Sequence, residues 1–174
     1  MTLPPEFPAG PFSPAPEFDD RILAACKSSL RQAPQKLRTV VRGLTSDQLE
    51  TKYRNWSIRQ IVHHLADSHL HSIIRFKWAL TENHPTIKAY EEGDWIQLTD
   101  CRVGDIEPSL LLLEGLHTKW GQVLDGMTRQ DYSRTFFHPQ SQQSVDLWTS
   151  VQTYSWHSQH HTAQIQWIKD QQNW

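Results

Sequence analysis

Six of the ten histidines stand in two short blocks, Val62-His63-His64-Leu65-Ala66-Asp67-Ser68-His69 and Trp156-His157-Ser158-Gln159-His160-His161. A lone histidine is usually satisfied by hydrogen bonds, but imidazoles that share one helix face can bind a divalent ion. At about 100° per residue, His157 and His161 lie one above the other on the face that also carries Tyr154 and Ile165, so they point toward a core. Such a pair lets two ring nitrogens reach one ion at about 2.0–2.1 Å from each. His160 is rotated away from that stripe. In the first block His64 borders the apolar face beside Ile61 and Ser68, while His63 falls opposite it, so His64 is the third ligand expected. Three imidazoles leave one position of a tetrahedral ion open, as in catalytic sites. Water bound there ionises near neutral pH, or a substrate thiolate takes its place. One divalent ion per subunit is expected, zinc by availability, with nickel able to use the same ligands. Asp67 follows His64 by three residues and His63 by four, so it is the carboxylate expected to orient an imidazole or to serve as catalytic base. His63, His69, His71 and His160 scatter around their helices and are expected in surface or packing roles.

These side chains need long helices to hold them. Apolar residues recurring at intervals of three and four predict one helix from Asp20 to Gly43. A second opens with the capping-box spacing Ser57-Ile58-Arg59-Gln60 and runs to about Thr81, a third covers about Glu107 to Leu124, and a fourth runs from near Asp146 to about Gln171. Pro34 inside the first is expected to kink or break it. Asn83 to Asp105 reads as a long connection with a short helical turn around Glu92 to Leu98, and Tyr132 to Val145 as two extended pieces around Pro139, a small hairpin. An all-α four-helix bundle follows, one domain over residues 20–174. Residues 1–19 hold six of the ten prolines and form an extended arm, which Phe7, Phe12 and Phe18 are expected to anchor on the body or on a neighbouring subunit. Trp148, Trp156 and Trp167 fall off the core stripe of the last helix, leaving apolar surface that a second subunit could cover, so a homodimer is expected. Trp120 and Trp156 are the candidates to wall a substrate pocket.

The block Trp56-Ser57-Ile58-Arg59-Gln60-Ile61-Val62-His63-His64-Leu65-Ala66-Asp67-Ser68-His69, followed by Arg75-Phe76-Lys77, Phe137-His138-Pro139 and Tyr154-Ser155-Trp156-His157-Ser158-Gln159-His160-His161, resembles the YfiT branch of the DinB-like superfamily. The resemblance extends from Phe7-Pro8-Ala9-Gly10 to Trp174. It implies a homodimeric four-helix bundle whose metal ligands match His64, His157 and His161. The implied activity is that of a metal-dependent hydrolase, with kinship to S-transferases that use bacillithiol or another low-molecular-weight thiol. Relatives often carry further histidines where this chain has Gln159 and Gln164, neither of them a ligand position.

Composition narrows the alternatives. A net charge of −2 provides no basic field for nucleic acid, and the longest aliphatic run, Leu110 to Leu113, is too short to cross a membrane. The arm lacks the basic and apolar regions of a signal peptide, so a cytoplasmic location is expected. Cys26 and Cys101 form no C-x-x-C, with Cys26 expected in the core and Cys101 as a loop thiol. No nucleophile elbow, P-loop or dinucleotide fingerprint is present. A small-molecule substrate is therefore expected. The competing class is a non-catalytic bundle that binds metal or dimerises, against which the open coordination position argues.

Overall fold

Each long helix begins where a polar side chain can occupy the free amides of the first turn. Asp19 accepts from the amides of Arg21 and Ile22 at 2.7 and 3.1 Å and starts α1 (Asp20–Val41). The short α2 (Ser46–Leu49) and the two-residue strands β1 (Lys52–Tyr53) and β2 (Trp56–Ser57) lead to Ser57, whose capping box with Gln60 opens α3 (Ile58–Thr81). Two short helices, α4 (Glu92–Trp95) and α5 (Thr99–Val103), lie on the connection to α6 (Glu107–Gly126), which carries Pro108 in its first turn. A 3-10 turn (Arg129–Ser133) and the hairpin of β3 (Thr135–His138) and β4 (Gln143–Asp146) precede α7 (Leu147–Gln172), capped by Asp146. The computed structural model describes residues 3–174.

The four-helix bundle is formed by α1, α3, α6 and α7. Helix α1 packs against α6 and α7, and α3 packs against the same two, so the consecutive helices α1 and α3 lie across the diagonal. Long connections make that order possible, because a tight turn could join only adjacent helices. The connection before α6 is pinned to the β3–β4 hairpin by the amide of Ile87 on Phe137 O (3.0 Å) and the amide of Phe137 on Pro85 O (2.9 Å).

Of the kink or break expected at Pro34, the break does not occur, and α1 runs unbroken from Asp20 to Val41 through the proline. The core is divided at that level. One apolar cluster holds Leu30, Ile73, Leu116, Trp120 and Tyr154, and the other holds Leu37, Leu65, Leu113 and Ile165. Between them in three of the four sequences falls a different kind of residue, Pro34 in α1, His69 in α3, and His157 with His161 in α7, and His117 of α6 stands next to Leu116 at the edge of the first cluster. The bundle thus contains a layer of imidazoles between two apolar halves.

Residues 3–18 lie along this body. Phe18 packs on Trp148 and Tyr132 (ring centroids 5.0 and 5.5 Å), and Phe12 and Phe7 pack on Trp156 (5.6 and 6.3 Å). The Trp148 and Trp156 indoles donate to Ala15 O and Gly10 O, both at 2.8 Å. Trp148 is 4 % exposed, so the surface expected to await a second subunit at these two tryptophans is covered by the chain itself. Trp167 packs edge-on against Tyr53 at 5.5 Å.

Candidate metal centre

Helix α3 supplies His64 and the adjacent α7 supplies His157 and His161. Their Nε2 atoms face one another: His64 to His157 is 3.1 Å, His157 to His161 is 3.1 Å, and all three lie within 4.8 Å. Ligands about 2.05 Å from one ion would be separated by about 3.3 Å at tetrahedral angles and about 2.9 Å at right angles. The two separations of 3.1 Å fall between these limits. His161 donates from Nδ1 to Gln164 Oε1 at 2.7 Å, so its neutral ring turns a bare Nε2 into the cluster. Burial keeps the rings neutral. Desolvation pushes His64 down to about 4 and holds His157 and His161 well below the ordinary histidine range, with repulsion from neighbouring imidazoles adding to it. Nitrogen lone pairs converging away from water are the donor set that a borderline divalent cation satisfies, so the residues present fit a metal.

The other histidines divide sharply. His160 stays out of the cluster, stacked on Trp156 at 4.6 Å with its Nε2 accepting from Gln164 Nε2 at 2.9 Å. Gln164 therefore holds His161 and His160 together, a role its i+3 position after His161 could have suggested. His63 is buried rather than outward and its Nδ1 lies 2.8 Å from Ser109 Oγ, because α5 and α6 cover the face of α3 opposite α7. His71 donates from Nδ1 to Asp67 O at 2.8 Å and stacks on Tyr90 at 4.2 Å. His69, 1 % exposed, lies against both His157 and His117. Sequence spacing gave no reason to single out His117, since its partners lie on other helices.

The aromatic wall is Trp56, which precedes the cap of α3. Its ring meets His64 at 4.6 Å and lies nearly parallel to His161 at 6.2 Å. Trp120 sits behind His69 and His117, and Trp156 lies beneath the arm.

Through its side-chain carboxylate, Asp67 makes no hydrogen bond to an imidazole among the described residues. Its carboxyl faces α5 instead, 4.0 Å from Cys101 Sγ, and is pushed up to about 6 by desolvation first and by Asp100 second. Cys101 is not an exposed loop thiol. It is 1 % exposed, and burial followed by the neighbouring carboxylates pushes it up to about 12. Close packing of α5 explains this. Arg59 of α3 donates to Gly104 O, tying the end of α5 to the bundle. On the same flank of α3, Arg75 Nη1 donates to Tyr154 Oη at 3.1 Å, while Arg75 Nε and Tyr90 Oη are buried with no hydrogen-bond partner among the described residues.

Among the described residues, no helix is long and apolar enough to cross a membrane. Residues 29–165 match the family described as the DinB superfamily. A Bacillus licheniformis protein named "Putative metal-dependent hydrolase BLi00869/BLi00870/BL03027" is 40% identical over 97% of this chain and 97% of its own length. The Bacillus subtilis protein named "Putative metal-dependent hydrolase YfiT" is 38% identical over 97% of this chain and 96% of its own. A solved structure, described as "YfiT from Bacillus subtilis is a probable metal-dependent hydrolase with an unusual four-helix bundle topology", superimposes with a TM-score of 0.93 at 38% identity, covering 97% of both chains. With its diagonal helix order and its histidine cluster between α3 and α7, the chain belongs to the DinB superfamily.

Proposed function

We propose that this protein is a metal-dependent hydrolase of small molecules in which His64, His157 and His161 hold one divalent ion, zinc by preference. The convergence of three Nε2 atoms, on buried His64 and His161 and half-buried His157, with two separations of 3.1 Å, carries the reading. The names of the relatives agree with it. When bound, such an ion supplies an open position that lowers the pKa of water or accepts a thiol, and polarises a substrate carbonyl. The chain supplies the rest. Trp56 shields two of the ligands from water and restricts how a substrate can approach them. Asp67 is proposed as the base on its place one turn after His64, its carboxyl, pushed up to about 6, being ionised at neutral pH. Arg75 and Tyr90 hold unpartnered polar atoms that can bind an anionic or carbonyl group of the substrate.

The test is elemental analysis joined to turnover. One zinc per chain after reconstitution, its loss in His157→Ala, and metal-dependent cleavage of an activated ester or amide without added thiol support the hydrolase. Turnover that begins only when bacillithiol or glutathione is supplied assigns thiol transfer at the same residues instead. Reconstituted protein that holds no metal overturns both.

A further inference from the structure

Proline has no amide hydrogen, so Pro34 leaves the carbonyl four residues earlier, that of Leu30, without its helical donor. His117 of α6 fills the vacancy with Nδ1 2.6 Å from Leu30 O. A carbonyl oxygen can only accept, so Nδ1 carries the proton and Nε2 of the neutral ring is bare. His69 Nδ1 lies 2.9 Å from that bare nitrogen and must donate to it, which leaves His69 Nε2 bare in turn. His157 Nδ1 lies 3.3 Å from His69 Nε2 and is the donor there. The proton on each ring is thus dictated by the ring before it, and His157 is left with its Nε2 lone pair directed at His64 and His161.

We infer that His117 and His69 are positioning residues for the metal centre, forming with Leu30 O a hydrogen-bonded chain, opened by Pro34, that fixes the tautomer and ring plane of His157. The inference rests on the metal reading above but concerns residues outside the ligand trio. Metal-bound imidazoles commonly donate their second nitrogen to a carboxylate or carbonyl, which fixes the tautomer and strengthens the ligand. Here a carbonyl does this through two intervening rings. Packing locks the rings. His69 and His117 stack at 4.9 Å and 18°, Trp120 presents its edge to both at 5.9 and 5.8 Å, and Tyr154 meets His69 edge-on at 5.3 Å. The chain terminates on an oxygen that cannot release a proton, so it holds His157 in place and does not conduct protons from the site. It also joins the site to all four bundle helices, through Leu30 and Pro34 of α1, His69 of α3, His117 of α6 and His157 of α7.

Two measurements test it. In metal-free wild-type protein, long-range nitrogen–proton NMR correlations of the imidazoles should show His117, His69 and His157 all protonated at Nδ1. A proton on Nε2 of His117 or His69 overturns the chain whether or not metal binds. In the second, zinc is titrated against a chelator of known affinity. His117→Phe keeps the ring bulk but neither hydrogen bond, and should weaken zinc binding about 10–100-fold. His117→Gln retains a donor and an acceptor in one planar group and should stay within a few-fold of wild type. Folded His117→Phe, verified by near-ultraviolet circular dichroism, that binds zinc as tightly as wild type overturns the inference. If it does not fold, the tautomers of the wild type decide. Wild-type protein with the expected tautomers but no zinc affinity refutes the metal reading and leaves the hydrogen-bonded chain standing.

Discussion

Acid should unfold the metal-free protein at a pH where most of its carboxylates are still ionised. His64 and His117 are each pushed from 6.5 to about 4 by burial, so between those values the unfolded chain binds more protons than the native one. Stability is therefore fully present above about 6.5 and is lost as the pH falls toward 4. By linkage, lowering the pH from 7 to 5 costs about 2 kcal/mol for each of the two, about 4 kcal/mol together. Asp67 works the other way. Its carboxyl, pushed up to about 6, is disfavoured as an anion in the fold, and protonation returns less than about 1 kcal/mol once its partial contact with solvent is discounted. His69, His157 and His161, all held well below the ordinary range by desolvation, add to the loss. A net cost of at least about 3 kcal/mol is a large share of the 5–15 kcal/mol typical of a folded domain. Urea unfolding of chelator-treated protein at pH 7, 6 and 5, followed by circular dichroism, measures it. His117→Gln removes one of these groups, so its loss between pH 7 and 5 should be smaller by about 2 kcal/mol. An unfolding free energy that does not change between pH 7 and 5 would refute the reasoning, since buried neutral imidazoles cannot be indifferent to acid.

Asp67→Asn should raise stability at pH 7 by on the order of 1 kcal/mol, because it removes a carboxylate disfavoured by burial and by Asp100, while lowering turnover with metal content unchanged. Equal turnover would make Asp67 a spectator. Phe18→Ala takes away a ring packed on Trp148 and Tyr132 and should cost about 2 kcal/mol, with the tryptophan emission shifting to longer wavelength as Trp148 meets water. An unchanged melting temperature and spectrum would mean that residues 3–18 contribute nothing to the fold. A homodimer is proposed to form away from Trp148 and Trp156, which the arm covers, with the half-exposed Leu111 and Leu112 of α6 among the apolar side chains available. Light scattering at micromolar concentration should give twice the chain mass of 20.3 kDa, and a monomer mass removes the proposal.

What the chain reveals without its fold is what depends on neighbours a few residues away. Apolar spacing marks the four long helices, Ser57 with Gln60 marks a helix start, and a four-residue interval puts His157 and His161 on one face. The phase of a helix also separates His64 from His63, but phase alone does not tell which side of a helix another element will cover. His63 and Cys101 are buried because α5 and α6 close over that flank of α3, and Trp148 is buried and Trp156 half-buried because the arm returns to α7. Pro34 shows the difference most plainly. By itself it is a residue that breaks a hydrogen bond and should interrupt its helix. In the bundle the orphaned carbonyl of Leu30 faces His117, whose N–H replaces the one proline lacks, and α1 continues. Spacing along one chain could not have shown this, because the acceptor lies on α1 and the donor on α6. They meet only because long connections allow the helices to pack in that order.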